Sequence, residues 1–531
     1  MVKGFRQIAV FTVASRVLGF IRDMLFAYFL GAGALFDGWA IAFKIPNLAR
    51  RIFGEGALSA SFIPIYSEEL HRRPETADKL ASTVVSVLTV VLTGIVILGE
   101  AIIWGYYLYT KSNPETAMKL ELAGIMLPHM LLICIVAILG GILNTHRHFA
   151  APALSPMVLN IFIIASLTLG GWFFSIPAEK LVYITAVSVI LAAITKLGMQ
   201  FIPLHSRGIH IRPSWEVQNE QFKKIIMLML PMMIGLTATQ INTLADDFIA
   251  LWFSGSPEKG EYFLLFGNQI RYPMWAGSVS HLYYSQRLYQ FPLGVLGISL
   301  ATAIFPVMSA DAARGDAAAL AKTISRGMRG AIFIAIPATA GMILVSKIII
   351  RAAFEHGAFS QADTEITSVV LIFYSLGLCG YFLQQIVTRA FYSLQNSKLP
   401  AQTAGIAVIV NLTLNLTLIW FMGAAGLALS TAVCSYLQVA IMMTLLSRRY
   451  EEVNYRNLLI TITKSAVSSG AMFIAGIAIL HLVEPWPINT KYDVLRLLTI
   501  ILPCAAVYIA TALLLKTKAV SLVIGSRRPG K

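Results

Sequence analysis

The chain has 531 residues, of which 57% are apolar and 13% charged, and its net charge is +15. Soluble domains carry about a quarter charged residues, so this composition, with a mean hydropathy of +0.73, excludes an ordinary soluble enzyme, a coiled coil and a disordered chain. It leaves an all-α polytopic membrane protein, in which surplus Lys and Arg belong in cytoplasmic loops rather than to nucleic-acid binding.

The first residues are basic and then apolar, as in a signal peptide. Arg16 interrupts the run and no convincing small-residue cleavage site follows, so the segment reads as a retained first helix. From there, apolar stretches between short polar loops predict about fourteen spans. Their cores are 7–30, 35–66, 80–108, 119–144, 152–174, 181–204, 223–253, 276–308, 328–348, 364–393, 402–422, 426–446, 458–482 and 493–515. The second contains Pro46, Gly54 and Gly56 and reads as bent or broken. The connection 254–275 is long and reads as a re-entrant or periplasmic hairpin. Cys134, Cys379, Cys434 and Cys504 lie far apart in apolar runs and read as core residues, not as disulfides or metal ligands.

Basic residues cluster in alternate loops, among them Arg72, Arg73, Arg147, Arg207, Arg212, Lys223, Lys224, Arg314 and Arg448, and in both tails. The intervening loops hold few, such as Lys111, Lys180 and Lys259. Both termini are therefore expected in the cytoplasm, in agreement with an even span count.

An internal repeat accompanies this pattern. ALSASFIPIYS (57–67) and SLATAIFPVMS (299–309) end the second and eighth spans, with Pro64 and Pro306 lying 242 positions apart. Pro152 with Asn160, and Pro400 with Asn411, recur at the start and middle of the fifth and eleventh spans. Two six-span halves are expected, related by a pseudo-two-fold axis along the membrane normal, as in transporters. The division is an N-terminal lobe at 1–221, a C-terminal lobe at 222–450, and a terminal helix pair with a basic tail at 451–531.

Charges at membrane depth cost roughly 2.5–3.5 kcal/mol each on insertion scales and mark function. Arg16, Arg22 and Asp23 lie in the first span, and Asp37, Lys44, Arg50, Arg51 and Glu55 in the second. Residues seven apart share a helix face, which pairs Arg16 with Asp23 and aligns Asp37, Lys44 and Arg51. Such a stripe must line a watery cavity or pair internally. The cations outnumber the acids, and Arg287 in the eighth span has no acid near it in sequence, so the surplus points to an anionic ligand such as a phosphate. The blander reading of the acids is ion pairs that lock helices together. In the second half, Asp246 and Asp247 lie in the seventh span, Asn411 and Asn415 share a face of the eleventh, and Thr431 follows in the twelfth. This oxygen-rich set suits Na⁺ or H⁺; interhelical hydrogen bonding is the plainer account of the asparagines. No P-loop, HExxH or GxSxG motif is present, so no enzyme activity and no cofactor beyond a coupling ion is expected.

At SRVLGFIRD (15–23), FKIPNLARRIFGEGALSASFIPI (43–65), NTHRHFAAPALSP (144–156) and YYSQRLYQFPLGVLGISLATAIFP (283–306), the sequence resembles the MurJ/MviN family, the lipid II flippases of bacterial peptidoglycan synthesis. The resemblance covers the first twelve spans. It implies two six-helix lobes across a central cavity, plus a terminal helix pair offering a groove to a lipid tail. It implies translocation of undecaprenyl-diphosphate-linked peptidoglycan precursor across the inner membrane by alternating access, by a monomer serving the cell-wall synthesis machinery. Arg16, Arg22 and Arg287 match the family's cavity arginines, Asp37 its second-span acid, and Arg51 and Glu55 its RRIFxEG motif. Asp246 matches an acid at which Na⁺ is implicated. A drug/cation antiporter, or a flippase for another lipid-linked oligosaccharide, shares the architecture; a membrane-bound transferase or scaffold is the reading from another class.

Overall fold

The computed structural model describes residues 2–54, 56–448, 455–517 and 519–520; Glu55 and the last eleven residues of the basic tail lie outside them. Among the described residues the regular structure is helical except in the connection 254–275, which holds two short two-stranded pairings. Among the described residues, eleven helices are long and apolar enough to cross a membrane by length and composition. The sequence predicts three further spans. These correspond to helical segments that carry the membrane-depth charges: Val2–Leu30, the broken Ala34–Arg72 and Glu220–Trp252.

The chain divides into two compact units. The first takes in Met1–Leu244, Gly255–Ile270 and Gly357–Phe359. Its helices are α1 (Val2–Leu30), α2 (Ala34–Ala49), α3 (Ala57–Arg72), α4 (Pro74–Thr110), α5 (Pro114–Met126), α6 (His129–Thr145), α7 (Ala150–Thr168), α8 (Ala178–His205) and most of α9 (Glu220–Trp252). Leu58, Phe62 and Tyr66 of α3, Leu80, Leu88 and Leu92 of α4, and Ile138, Leu139 and Leu143 of α6 form one buried cluster. α1 packs on α7, and α2 on α5.

The predicted break in the second span is a wide π turn, Arg50–Gly54, between α2 and α3. Pro46 has no amide to donate into the helix. Gly54 lies so close to α6 that an added Cβ would sit 2.8 Å from the Cβ of Ala137, so the widened turn lets the backbone approach that helix. A second close approach joins the α1–α2 turn to residues 357–359. The Ala358 amide donates to the Tyr28 carbonyl at 2.8 Å. Gly31 (φ +66°) and Gly357 (φ +63°) stand on either side of that bond, where a Cβ would strike the opposing carbonyl oxygens of Ala358 and Tyr28.

The second unit takes in Ala245–Ser254, Arg271–His356 and Ser360–Lys531. It holds the end of α9, then α10 (Ser278–Pro292), α11 (Ile298–Ala313), α12 (Ala317–Phe354), α13 (Gln361–Leu376), α14 (Leu378–Ser393), α15 (Lys398–Met422), α16 (Ala424–Ser447), α17 (Tyr455–Val483) and α18 (Thr490–Leu514). The repeat is visible in its elements: α10 and α11 are joined by a π turn, Leu293–Gly297, as α2 and α3 are by Arg50–Gly54. α17 and α18 pack on α12 through Phe333, Met472, Ile500, Cys504 and Tyr508, and the Tyr508 hydroxyl donates to the Phe333 carbonyl at 2.6 Å. The connection 254–275 contains a β-hairpin, with strands Tyr262–Leu265 and Asn268–Arg271 paired.

Candidate functional site

In the first unit, Arg22 and Asp23 of α1 are buried, with 8% and 3% exposure. The Arg22 guanidinium donates Nη2–H and Nε–H to Asp23 Oδ1 at 2.7 and 3.0 Å, and Nη1–H to Asn160 Oδ1 of α7 at 3.0 Å. Asn160 Nδ2–H returns to the Ser15 carbonyl of α1 at 3.1 Å. The planar fork thus ties α1 to α7, and the pair is neutral as a unit. This differs from the helical-spacing expectation that matched Asp23 with Arg16. Arg16 is exposed, and the long Arg22 stem brings its guanidinium round to the neighbouring carboxylate.

Asp37 is buried in the first turn of α2, where the helix N-terminus favours a carboxylate. The rest of the predicted stripe meets α9. Lys44 Nζ donates to the Thr243 carbonyl at 3.1 Å, and Arg51 Nη1–H to Gln240 Oε1 at 2.9 Å. Arg50 Nε–H donates to Asn47 Oδ1 at 3.1 Å within its own helix. Both of these contacts to α9 are hydrogen bonds to neutral groups. Glu55 lies outside the described residues.

In the second unit, Arg287 of α10 lies over the Tyr283 ring, 4.4 Å from its centroid, and its Nη2–H donates to that hydroxyl at 2.9 Å. A guanidinium on an aromatic face is attracted by the negative face of the ring.

The oxygen-rich set assembles in the same unit. Asp246 is 3% exposed; Asn411 and Asn415 are fully buried. Asn415 Nδ2–H donates to Asp246 Oδ1 at 2.6 Å and to Asn411 Oδ1 at 2.9 Å, and the Thr431 hydroxyl donates to Asp246 Oδ2 at 3.2 Å. The Ser430 hydroxyl donates to Asn415 Oδ1. All four residues singled out in the sequence are in one network across α9, α15 and α16. Ser430 is the member that sequence reasoning missed, although its position beside Thr431 was a signal.

Two other features escaped the sequence. Asn160 stood out only as a mark of the repeat, and its bond to Arg22 could not be read from spacing. Asp493 of α18 accepts from Arg351 of α12 at 2.5 and 2.7 Å and from Arg496 at 2.8 Å. Arg496 also donates to the carbonyls of Val483, Glu484 and Trp486.

A protein-family model described as lipid II flippase MurJ matches residues 26–502. The probable lipid II flippase MurJ of Vibrio cholerae is 32% identical over 449 residues, covering 82% of this chain and 81% of the relative. That of Buchnera aphidicola subsp. Schizaphis graminum is 30% identical over 519 residues, covering 96% of each. A solved lipid II flippase MurJ in an inward closed conformation superposes with a TM-score of 0.76 at 25% identity, over 96% of this chain and 98% of the other. An inward-facing multidrug resistance MATE family transporter of the MOP superfamily, 12% identical with a TM-score of 0.62, covers 83% of this chain and 95% of its own and shares the fold. With a family model matched along nearly the whole helical bundle and relatives alike end to end, this chain belongs to the lipid II flippase MurJ family.

Proposed function

We propose that this protein translocates lipid II, an undecaprenyl-diphosphate-linked glycopeptide, from the inner to the outer leaflet of the cytoplasmic membrane. The family match over residues 26–502 carries this reading. Hydrocarbon cannot solvate a diphosphate, so a carrier must replace its water with fixed donors. Arg287 stacks on the Tyr283 face, and Arg16 is exposed on α1. Arg22 reaches an incoming phosphate by exchanging part of its hold on Asp23. Asp37 and Arg51 are further candidates to contact the headgroup, and alternating access carries it across. The membrane potential acts on the bound complex at about 2.3 kcal/mol per charge per 100 mV. Both termini lie in the cytoplasm. In support, the Glu258 carboxylate accepts from the Glu115 amide at 2.8 Å, which joins two connections that the positive-inside pattern assigns to the outer side.

The test is direct. Reconstituted protein should move lipid II between leaflets, measured as headgroup accessible to an impermeant reagent, and the gene should rescue cells depleted of their own lipid II flippase. Failure of both in folded protein overturns the reading.

We infer further that Asp246, Asn411, Asn415 and Thr431 bind the coupling ion. Every group that can face the ion is an oxygen, the donor type Na⁺ prefers, and the carboxylate equally accepts H⁺. Turning over the Asn415 amide exchanges its N–H for a carbonyl toward Asp246. Asp246→Asn keeps the shape and the acceptor for Asn415, lets the Thr431 hydroxyl turn to accept where it donated, and removes the charge. Stimulation of translocation by a Na⁺ or pH gradient should then fall to about onefold, with folding retained. An unchanged gradient response rejects the assignment.

A further inference from the structure

The hairpin between α9 and α10 is apolar where a loop in water should not be. Tyr262, Phe263, Leu264, Leu265 and Phe266 run consecutively. Phe266 is 97% exposed and Leu264 73%. Successive strand residues face opposite sides, so Tyr262 and Leu264 expose apolar surface on one face and Leu265 on the other, beside Asn268, Gln269 and Arg271 of the partner strand. Among the described residues the two strands form a two-stranded sheet. A lone two-stranded hairpin is marginal in water, and an exposed apolar surface of this kind marks an interaction site.

The turn adds a second, independent observation. Phe266 has φ +49° and Gly267 φ +82°, so both central residues of the two-residue connection are left-handed. That geometry favours Asn-Gly or Asp-Gly, and a bulky aromatic side chain there is strained. Strain held at an exposed tip points to use of the ring. The base, by contrast, is polar and anchored: Ser256 bridges to Gly260 and is 1% exposed, and Glu258 accepts from the Glu115 amide.

A docked protein would cover one face of the hairpin and leave the other wet. Immersion in a lipid interface covers both. In sequence the hairpin is flanked by Trp252 at the end of α9 and Trp275 before α10, 77% and 47% exposed. Tryptophan in such positions marks the headgroup level. The outer backbone edges of the strands need polar partners, which hydrocarbon lacks and the headgroup region supplies.

We propose that the hairpin is a lipid-dipping finger, with Phe266 seated at the headgroup–acyl boundary of the adjoining leaflet. That leaflet is the outer one if the orientation proposed above holds.

The full-length protein carrying Phe266→Cys is labelled with bimane and reconstituted in phosphatidylcholine/phosphatidylglycerol vesicles. Leu264→Cys, on the strand rather than the turn, provides a second site should the turn variant misfold. Glu216→Cys, on an exposed connection, is the aqueous control. Unmutated protein reports labelling of the native cysteines. Lipids brominated near the headgroup end of the acyl chain should quench the labels at 266 and 264 by about twofold or more, and iodide should quench them several-fold less than at 216. Strong iodide quenching with no bromine effect overturns the proposal. So does protection from iodide that is seen in native membranes and absent from pure lipid vesicles, which would mean a protein partner. Adding iodide to one side at a time reports the leaflet, so an error in orientation reads differently from the absence of lipid contact.

Discussion

Arg22→Ala should lower lipid II translocation by about 10- to 100-fold, the range expected when a charged hydrogen-bonding group is lost. It should also destabilise the fold, because Asp23 then loses the two bonds it accepts from the guanidinium. Their side chains are 10% and 4% exposed, and removing one partner of a buried pair costs about 3–5 kcal/mol. The two effects separate in the double variant Arg22→Ala, Asp23→Ala. With both charges gone, stability should return to near that of the parent, as removal of a whole buried ion pair is often close to neutral. Translocation should stay low, since no guanidinium remains. Arg22→Lys keeps the charge but cannot span Asp23 and Asn160 with one planar group, so it should rescue only partly. Thermal unfolding in detergent and a leaflet-accessibility assay on the same preparations decide the matter. Full translocation by the double variant would remove Arg22 from the substrate path.

The second large effect is expected where sequence analysis placed no function. Asp493→Ala leaves Arg351 and Arg496 without the carboxylate they share, one 16% and the other 4% exposed at the side chain. Two cations beside an apolar helix pair are worse than one, and the loss should reach about 3–5 kcal/mol or more. The damage should be local. α17 and α18 pack on α12, so hydrogen exchange should accelerate in those helices and in the 484–489 connection while α3, α4 and α6 keep their protection. Asp493→Asn retains an acceptor and should cost less, about 1–3 kcal/mol. Uniform acceleration through both units would show that the terminal pair is not separately anchored.

These two sites show where the sequence was readable. The charged stripe of α2 was legible because a seven-residue spacing fixes a face, and the structure sets Lys44 and Arg51 of that face against α9. Asp246, Asn411, Asn415 and Thr431 were legible as a set because polar side chains are rare in apolar helices and bundle helices turn them toward one another. The π break in the second span followed from Pro46, Gly54 and Gly56. What could not be read was which long side chain takes which partner. Arg22 rather than Arg16 holds Asp23, because an arginine stem reaches across a helix face and periodicity describes only Cβ directions. Arg351, Asp493 and Arg496 lie at helix ends, where a lone charge looks like an ordinary boundary residue until packing brings it to its partner. The connection 254–275 is legible as a hairpin, and its apolar run leaves re-entrant and periplasmic placements both open to a reading of the sequence.

The widened turns Arg50–Gly54 and Leu293–Gly297 begin 243 positions apart, beside 242 for Pro64 and Pro306. Such a turn amounts to one extra residue slipped into a regular helix. The same insertion at matching places gives the second span of each repeat a one-residue register shift between its two helices. The third widened turn, Leu169–Phe173, has no twin, since α15 runs as regular helix to Met422.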